Sequence, residues 1–176
     1  RRGPLHIHEY THTMQASSWI NTEVQDPQGA SNQASPCWLN EGFPHAIGLS
    51  AGTDDYSAYL SLRNGEVIGR HLQGVFDDYG NVYSTQTIVD YFDNSVPGTC
   101  IGKKDYAAGY SIGLLTVEAL NAVAGSESAM HLYTYMASGL AYQDAFEVVY
   151  GLPWDSAKSL LAAHVSVVVN SVLQTG

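Results

Sequence analysis

Residues 5–16 read LHIHEYTHTMQA. The segment contains neither Gly nor Pro and follows Gly3 and Pro4. Proline is tolerated in the first turn of a helix, where its missing N–H has no intrahelical partner to lose, so the pattern predicts a helix over 5–16. Residues four apart lie one turn above each other, and His8 and His12 therefore project from one face with Glu9 beside them. Two neutral imidazoles aimed at one point suit a borderline cation, zinc before the other common cellular metals. His6, two residues before His8, points away from that face and is a poor ligand candidate.

A zinc site that performs chemistry needs a third protein ligand and one open position. The continuation HExxHxxGxxH would supply a third histidine, but Gln15 stands where its glycine belongs and Ser18 where its histidine belongs. A carboxylate is available further along. Residues 35–43 read SPCWLNEGF, with Ser35 as cap and Pro36 at the first helical position, which predicts a second helix, kinked at Pro44, that carries Glu41.

The pair HEYTH and WLNEGF resembles the gluzincin branch of zinc metallopeptidases, the group that includes thermolysin and the aminopeptidase-N-like enzymes. The resemblance implies that His8, His12 and Glu41 bind Zn2+ and that Glu9 is the general base in hydrolysis of a peptide or protein substrate. Residues 106–109, YAAG, are similar to a YxxG stretch of aminopeptidase-like members, which implies that Tyr106, or Tyr110 one turn on, donates to the oxyanion. Residues 142–146 (YQDAF) and 150–152 (YGL) look like the helical lower half of such enzymes. The implied fold is mainly α: a zincin-like catalytic fragment with an active-site helix, a second ligand-bearing helix and a C-terminal helical bundle, its β-sheet lying upstream of Arg1. Two departures stand out. The link between His12 and Glu41 is 28 residues, longer than in the thermolysin and aminopeptidase groups, and leaves the subgroup open. His45 occupies the place where thermolysin-like sequences carry an Asp that receives a ligand's second ring nitrogen, so another group must orient the imidazoles. The alternative reading is a zincin-like binding or scaffold domain without catalysis.

The remaining sequence agrees with one domain over 1–176, read as a fragment or processed part of a longer protein. A length of 176 residues leaves room for one ordinary core. Residues 17–35 read as a surface loop, 55–63 as a short helix, 65–80 as irregular and 93–104 as a loop. Further helices are expected over 84–92, 105–124, 126–139, 141–150 and 153–173. The acidic pairs Asp54–Asp55 and Asp77–Asp78 lack the alternation of an EF-hand and read as solvated loop carboxylates. His71, His131 and His164 read as isolated side chains. A formal charge of −10, with no basic run, argues against a nucleic-acid partner. No membrane span is expected, because His164, Ser166, Asn170 and Ser171 interrupt the most apolar stretch, 159–173. Only 14% of residues are charged, and solubility falls to Ser, Thr, Asn, Gln, Gly and Tyr. That composition suits a secreted protein, in which the two cysteines, Cys37 and Cys100, are expected to form a disulfide.

Overall fold

The computed structural model describes residues 3–100 and 104–175; residues 101–103, inside the stretch read as a loop, lie outside them. Among the described residues the fold is all-α, with no strand. In chain order the helices are α1 (Pro4–Ser17), α2 (Pro27–Ala34), α3 (Cys37–Gly52), α4 (Tyr56–Leu72), α5 (Thr85–Asn94) and α6 (Lys104–Ala108). A π-helical turn, Gly109–Gly113, leads directly into α7 (Leu114–Ala124), and α8 (Ser128–Ala137), α9 (Tyr142–Tyr150) and α10 (Trp154–Thr175) complete the chain. Local chemistry sets many of the ends. Asp55 Oδ1 accepts from the Ala58 N–H at 2.9 Å and Ser84 Oγ from the Thr87 N–H at 3.1 Å, which satisfies first-turn donors of α4 and α5.

Three expectations need correction. The stretch 17–35 is not loop throughout, because α2 forms within it. Asp26-Pro27, which reads as a turn signature, is also a helix start: Asp26 Oδ1 accepts from the Gly29 N–H at 2.9 Å and Pro27 takes the first turn. Second, 65–72 is helical, and α4 passes through Gly65 and Gly69. Nothing packs near either glycine, so the helix is held by other positions. Val67 is buried, and Arg63 bonds both oxygens of Glu118 on α7, at 2.9 and 2.8 Å, while Tyr59 donates to the same carboxylate. Tertiary packing of this kind overrides the roughly 1 kcal/mol that each helical glycine costs. Third, the helix expected over 105–124 is interrupted by the π turn.

Helix α3 is the centre of the molecule, burying Trp38, Leu39, Phe43, Ala46 and Leu49. Its two neighbours approach at backbone distance. A Cβ on Gly42 would lie 2.3 Å from the carbonyl carbon of Gly113, and one on Gly109 would lie 2.9 Å from Glu41 Cβ. On the other flank, a Cβ on Gly48 would meet the Pro4 carbonyl oxygen at 2.7 Å. Helix α1 and the π turn can therefore lie directly against α3, a separation that larger side chains would forbid. A Cys37–Cys100 disulfide joins the first turn of α3 to the segment before α6.

Trp154 of α10 stacks on Trp38 with ring centroids 5.4 Å apart, and Phe92, Tyr142 and Phe146 pack edge-on around Trp154. Two helical stretches, Tyr106–Ala124 and Trp154–Thr175, are long and apolar enough to cross a membrane by length and composition. Within this fold more than half of the first is buried, whereas the second buries only one stripe and leaves Leu160 and Val167 exposed. Leu114, Leu115, Val117 and Leu120 are buried in the first, and Ala162, Val165 and Val169 in the second. The Ser166 hydroxyl and the Asn170 amide of α10 both donate to the Tyr83 carbonyl, at 2.7 and 2.9 Å.

Candidate metal centre

Helix α1 presents His8 and His12 one turn apart, and α3 brings Glu41 against them. The ligating atoms of the three residues all lie within 4.8 Å of one another. His8 Nε2 and His12 Nε2 are 3.1 Å apart, and Glu41 Oε2 is 3.5 Å from the first and 3.6 Å from the second. His8 and Glu41 are buried and His12 is partly so. Glu41 Oε2 is buried without a hydrogen-bond partner, an expensive arrangement unless something else satisfies it. Two imidazole nitrogens and one carboxylate oxygen converging on a point are the donor set of a catalytic zinc site, and the residues fit that ion.

The electrostatics agree. Burial alone would raise the Glu41 carboxyl, but the neighbouring His12 and His8 outweigh it and hold Glu41 down at about 2. For His12 burial acts to lower the pKa, and Glu41, Gln15 and Glu9 together reverse the direction and raise it. The centre is thus an anionic carboxylate against a His12 ring whose protonated form it favours, so Glu41 concentrates negative charge where the three residues converge.

A hydrogen-bonded network supports the three residues. His12 Nδ1 is 2.8 Å from Gln15 Oε1, and Gln15 Nε2 donates to the Asn40 carbonyl at 3.2 Å and to the Tyr133 hydroxyl at 2.7 Å. The Asn40 side-chain amide donates to Glu41 Oε1 at 3.3 Å. Behind His8, Tyr110 stacks its ring almost parallel at a centroid distance of 5.3 Å, and Arg70 caps the far side of that ring at 4.6 Å. The Tyr110 hydroxyl is 2.9 Å from that of Tyr106. Burial raises the Tyr110 pKa, with Tyr106 and Glu41 adding to it, and the phenol remains a proton donor.

An open cleft of ≈ 640 Å³ leads to this centre. Glu9, His12, Asn40, Glu41 and Tyr106 line it, and α2 contributes the amides of Gln28 and Asn32. A separate apolar groove of ≈ 510 Å³ between α7, α9 and α10 shares no lining residue with it.

Of the residues singled out in the sequence, His8, His12, Glu41, Glu9, Tyr106 and Tyr110 all come together here. His45 lies in the adjoining layer, edge-on to Tyr110 and 3.8 Å from Glu66, with burial driving its pKa down to about 4 despite that carboxylate. His6 and His131 are exposed, and His71 faces the Tyr83 hydroxyl at 3.4 Å. Asp55 caps α4, and Asp78 pairs with Lys104 at 3.1 Å. Sequence reasoning missed Gln15, Asn40 and Tyr133. The available signal was helical spacing, since Gln15 is three residues beyond His12 on the ligand face. No family model, curated protein or solved structure matches the chain.

Proposed function

We propose that the protein is a secreted zinc metallopeptidase of the gluzincin type. The observation that carries this reading is the convergence of His8, His12 and Glu41 at a cleft that also exposes Glu9 and Tyr106. Zinc bound to the three residues would polarise a scissile carbonyl and lower the pKa of water. Glu9 lies at the cleft beside His12, placed to accept a proton from the attacking water and to return it to the departing amine. The Tyr106 hydroxyl, which lines the same cleft, supplies a hydrogen bond to the oxyanion, and Tyr110 steadies Tyr106 from behind. Asn40 and Gln15 fix the carboxylate and one imidazole. The all-α architecture and the central ligand-bearing helix support the zincin-like reading of the fold. The disulfide supports an oxidising compartment.

The test is to measure zinc content of the purified protein and cleavage of a mixed peptide library with and without a chelator. Stoichiometric zinc with chelator-sensitive cleavage is the expected result. Bound zinc without cleavage by any preparation would instead favour the scaffold reading, and failure to bind zinc at all would remove both.

A further inference from the structure

Gln15 has no exposed surface, and its side chain is fully committed. Its amide nitrogen has two hydrogens, and two acceptors face it: the Asn40 carbonyl at 3.2 Å and the Tyr133 oxygen at 2.7 Å. The reversed amide would set an oxygen against the Asn40 carbonyl oxygen, a repulsive contact with no proton between them. The orientation is therefore determined, and Oε1 must face His12 Nδ1 at 2.8 Å. An amide oxygen only accepts, so it selects the imidazole tautomer that carries its proton on Nδ1 and leaves the Nε2 lone pair free. That nitrogen is the one beside His8 Nε2 and Glu41 Oε2. The second imidazole lacks this device. His8 Nδ1 is buried without a hydrogen-bond partner, and its ring is held by stacking on Tyr110.

We propose that Gln15 is a positioning residue of the metal centre: anchored by the Asn40 backbone and by Tyr133 of α8, it locks His12 in the metal-ready tautomer and so links zinc affinity to the seating of α8. The inference rests on the zinc reading above. Asn40 connects the two halves of the site, since its carbonyl fixes Gln15 while its side chain bonds Glu41. A fully buried neutral acceptor here does the work that a carboxylate or carbonyl does behind other metal-bound histidines.

The test compares wild type with Gln15→Leu and Gln15→Glu by three measurements: zinc dissociation constant, thermal unfolding of the metal-free protein, and long-range nitrogen–proton NMR of the His12 ring in alkaline buffer. Gln15→Leu removes the acceptor and should weaken zinc binding about 10- to 100-fold, with His12 exchanging between tautomers. Gln15→Glu keeps an acceptor toward His12 but gives up the donors to Asn40 and Tyr133. Metal-free stability should then fall in both variants, while most of the zinc affinity returns only in Gln15→Glu. Equal loss of affinity in the two variants, parallel to the loss of stability, would make Gln15 a packing residue and overturn the inference; so would wild-type affinity in Gln15→Leu. If the Leu variant does not fold, Tyr133→Phe removes one anchor at constant ring volume. A mixed His12 tautomer and a smaller loss of zinc affinity are then expected, and no change in either refutes the linkage. Wild-type protein that binds no zinc would sink the zinc reading and the affinity linkage with it, whereas zinc binding with a His12 tautomer indifferent to Gln15 would overturn the inference and leave the zinc reading standing.

Discussion

At the scale of single residues, the proposed mechanism assigns metal binding and proton transfer to different side chains. Both Glu9 and Glu41 line the cleft, but Glu9 is exposed and Glu41 buried among the two histidines, so a Glu9→Gln protein should keep its zinc while losing hydrolysis by about 100- to 10,000-fold, the usual worth of a general base. Zinc analysis beside peptide turnover checks this, and near-normal turnover in the loaded variant would defeat the role. The two tyrosines should also separate. Tyr106 lines the cleft, whereas Tyr110 is packed between His8 and Arg70. Tyr106→Phe should lower kcat about 100- to 1,000-fold with little change in KM, as loss of an oxyanion donor does. Tyr110→Phe should cost less in kcat, because it loses the 2.9 Å bond that steadies Tyr106 and a hydroxyl beside Glu41 rather than a donor at the cleft. A larger kcat loss for Tyr110→Phe would reverse the assignment. The convergence of His8, His12 and Glu41, with Glu9 at the same cleft, was legible in the sequence because HExxH and NEG set these residues at fixed helical offsets. Gln15 was not, because its meaning depends on Asn40 and Tyr133, 25 and 118 residues away in the chain.

At the scale of elements, the site exists because three segments touch through glycine. Gly42 against Gly113 sets how closely the π turn approaches α3, and Gly109 lies over Glu41 itself. Gly42→Ala should force the two apart and destabilise the protein by about 1–3 kcal/mol, as overpacking does, while weakening zinc binding in the fraction that folds. Denaturant unfolding and metal titration of one sample measure both, and wild-type values for each would show that the contact is slack. The π turn widens the helix next to the site, a distortion that often accompanies function, and it follows directly on α6, which carries Tyr106. Helix α2 rests on a cheaper device. Removing its cap in Asp26→Ala should cost about 1 kcal/mol, detectable as a small fall in unfolding midpoint. Since α2 supplies Gln28 and Asn32 to the cleft, KM should rise more than kcat falls.

At the scale of the molecule, the Cys37–Cys100 bridge closes a loop with a sequence separation of 63. The bridge ties the first turn of α3, which carries Glu41, to the segment just before α6, which carries Tyr106. The chain-entropy model assigns such a closure about 4 kcal/mol. Reduction, or a Cys37→Ala/Cys100→Ala pair, should lower stability by an amount of that order and loosen the cleft before the bundle melts, visible as protease cutting first near residues 95–100. Cutting first within α10 would show that the bridge does not guard the site. The aromatic cluster of Trp38, Phe92, Tyr142, Phe146 and Trp154 should persist after reduction, because its contacts lie on α3, α5, α9 and α10.

The sequence by itself determined the helical class, the order of most helices, and the identities of the three converging side chains, His8, His12 and Glu41, with Glu9 beside them. Those features depend on short-range offsets, caps and breakers that the chain carries locally. Helix α2 and the second half of α4 escaped it, since Asp-Pro and paired glycines favour turns when judged alone and become helical once α1 packs on α2, and the π turn, α10 and α3 pack on α4. Tertiary structure alone decided which acceptor faces His12 Nδ1, how Tyr110 comes to stack on His8, and why Gly42, Gly48, Gly109 and Gly113 sit where α3 meets its partners. Each of these is a contact between segments far apart in the chain, and close approach in space leaves no periodic trace in either segment.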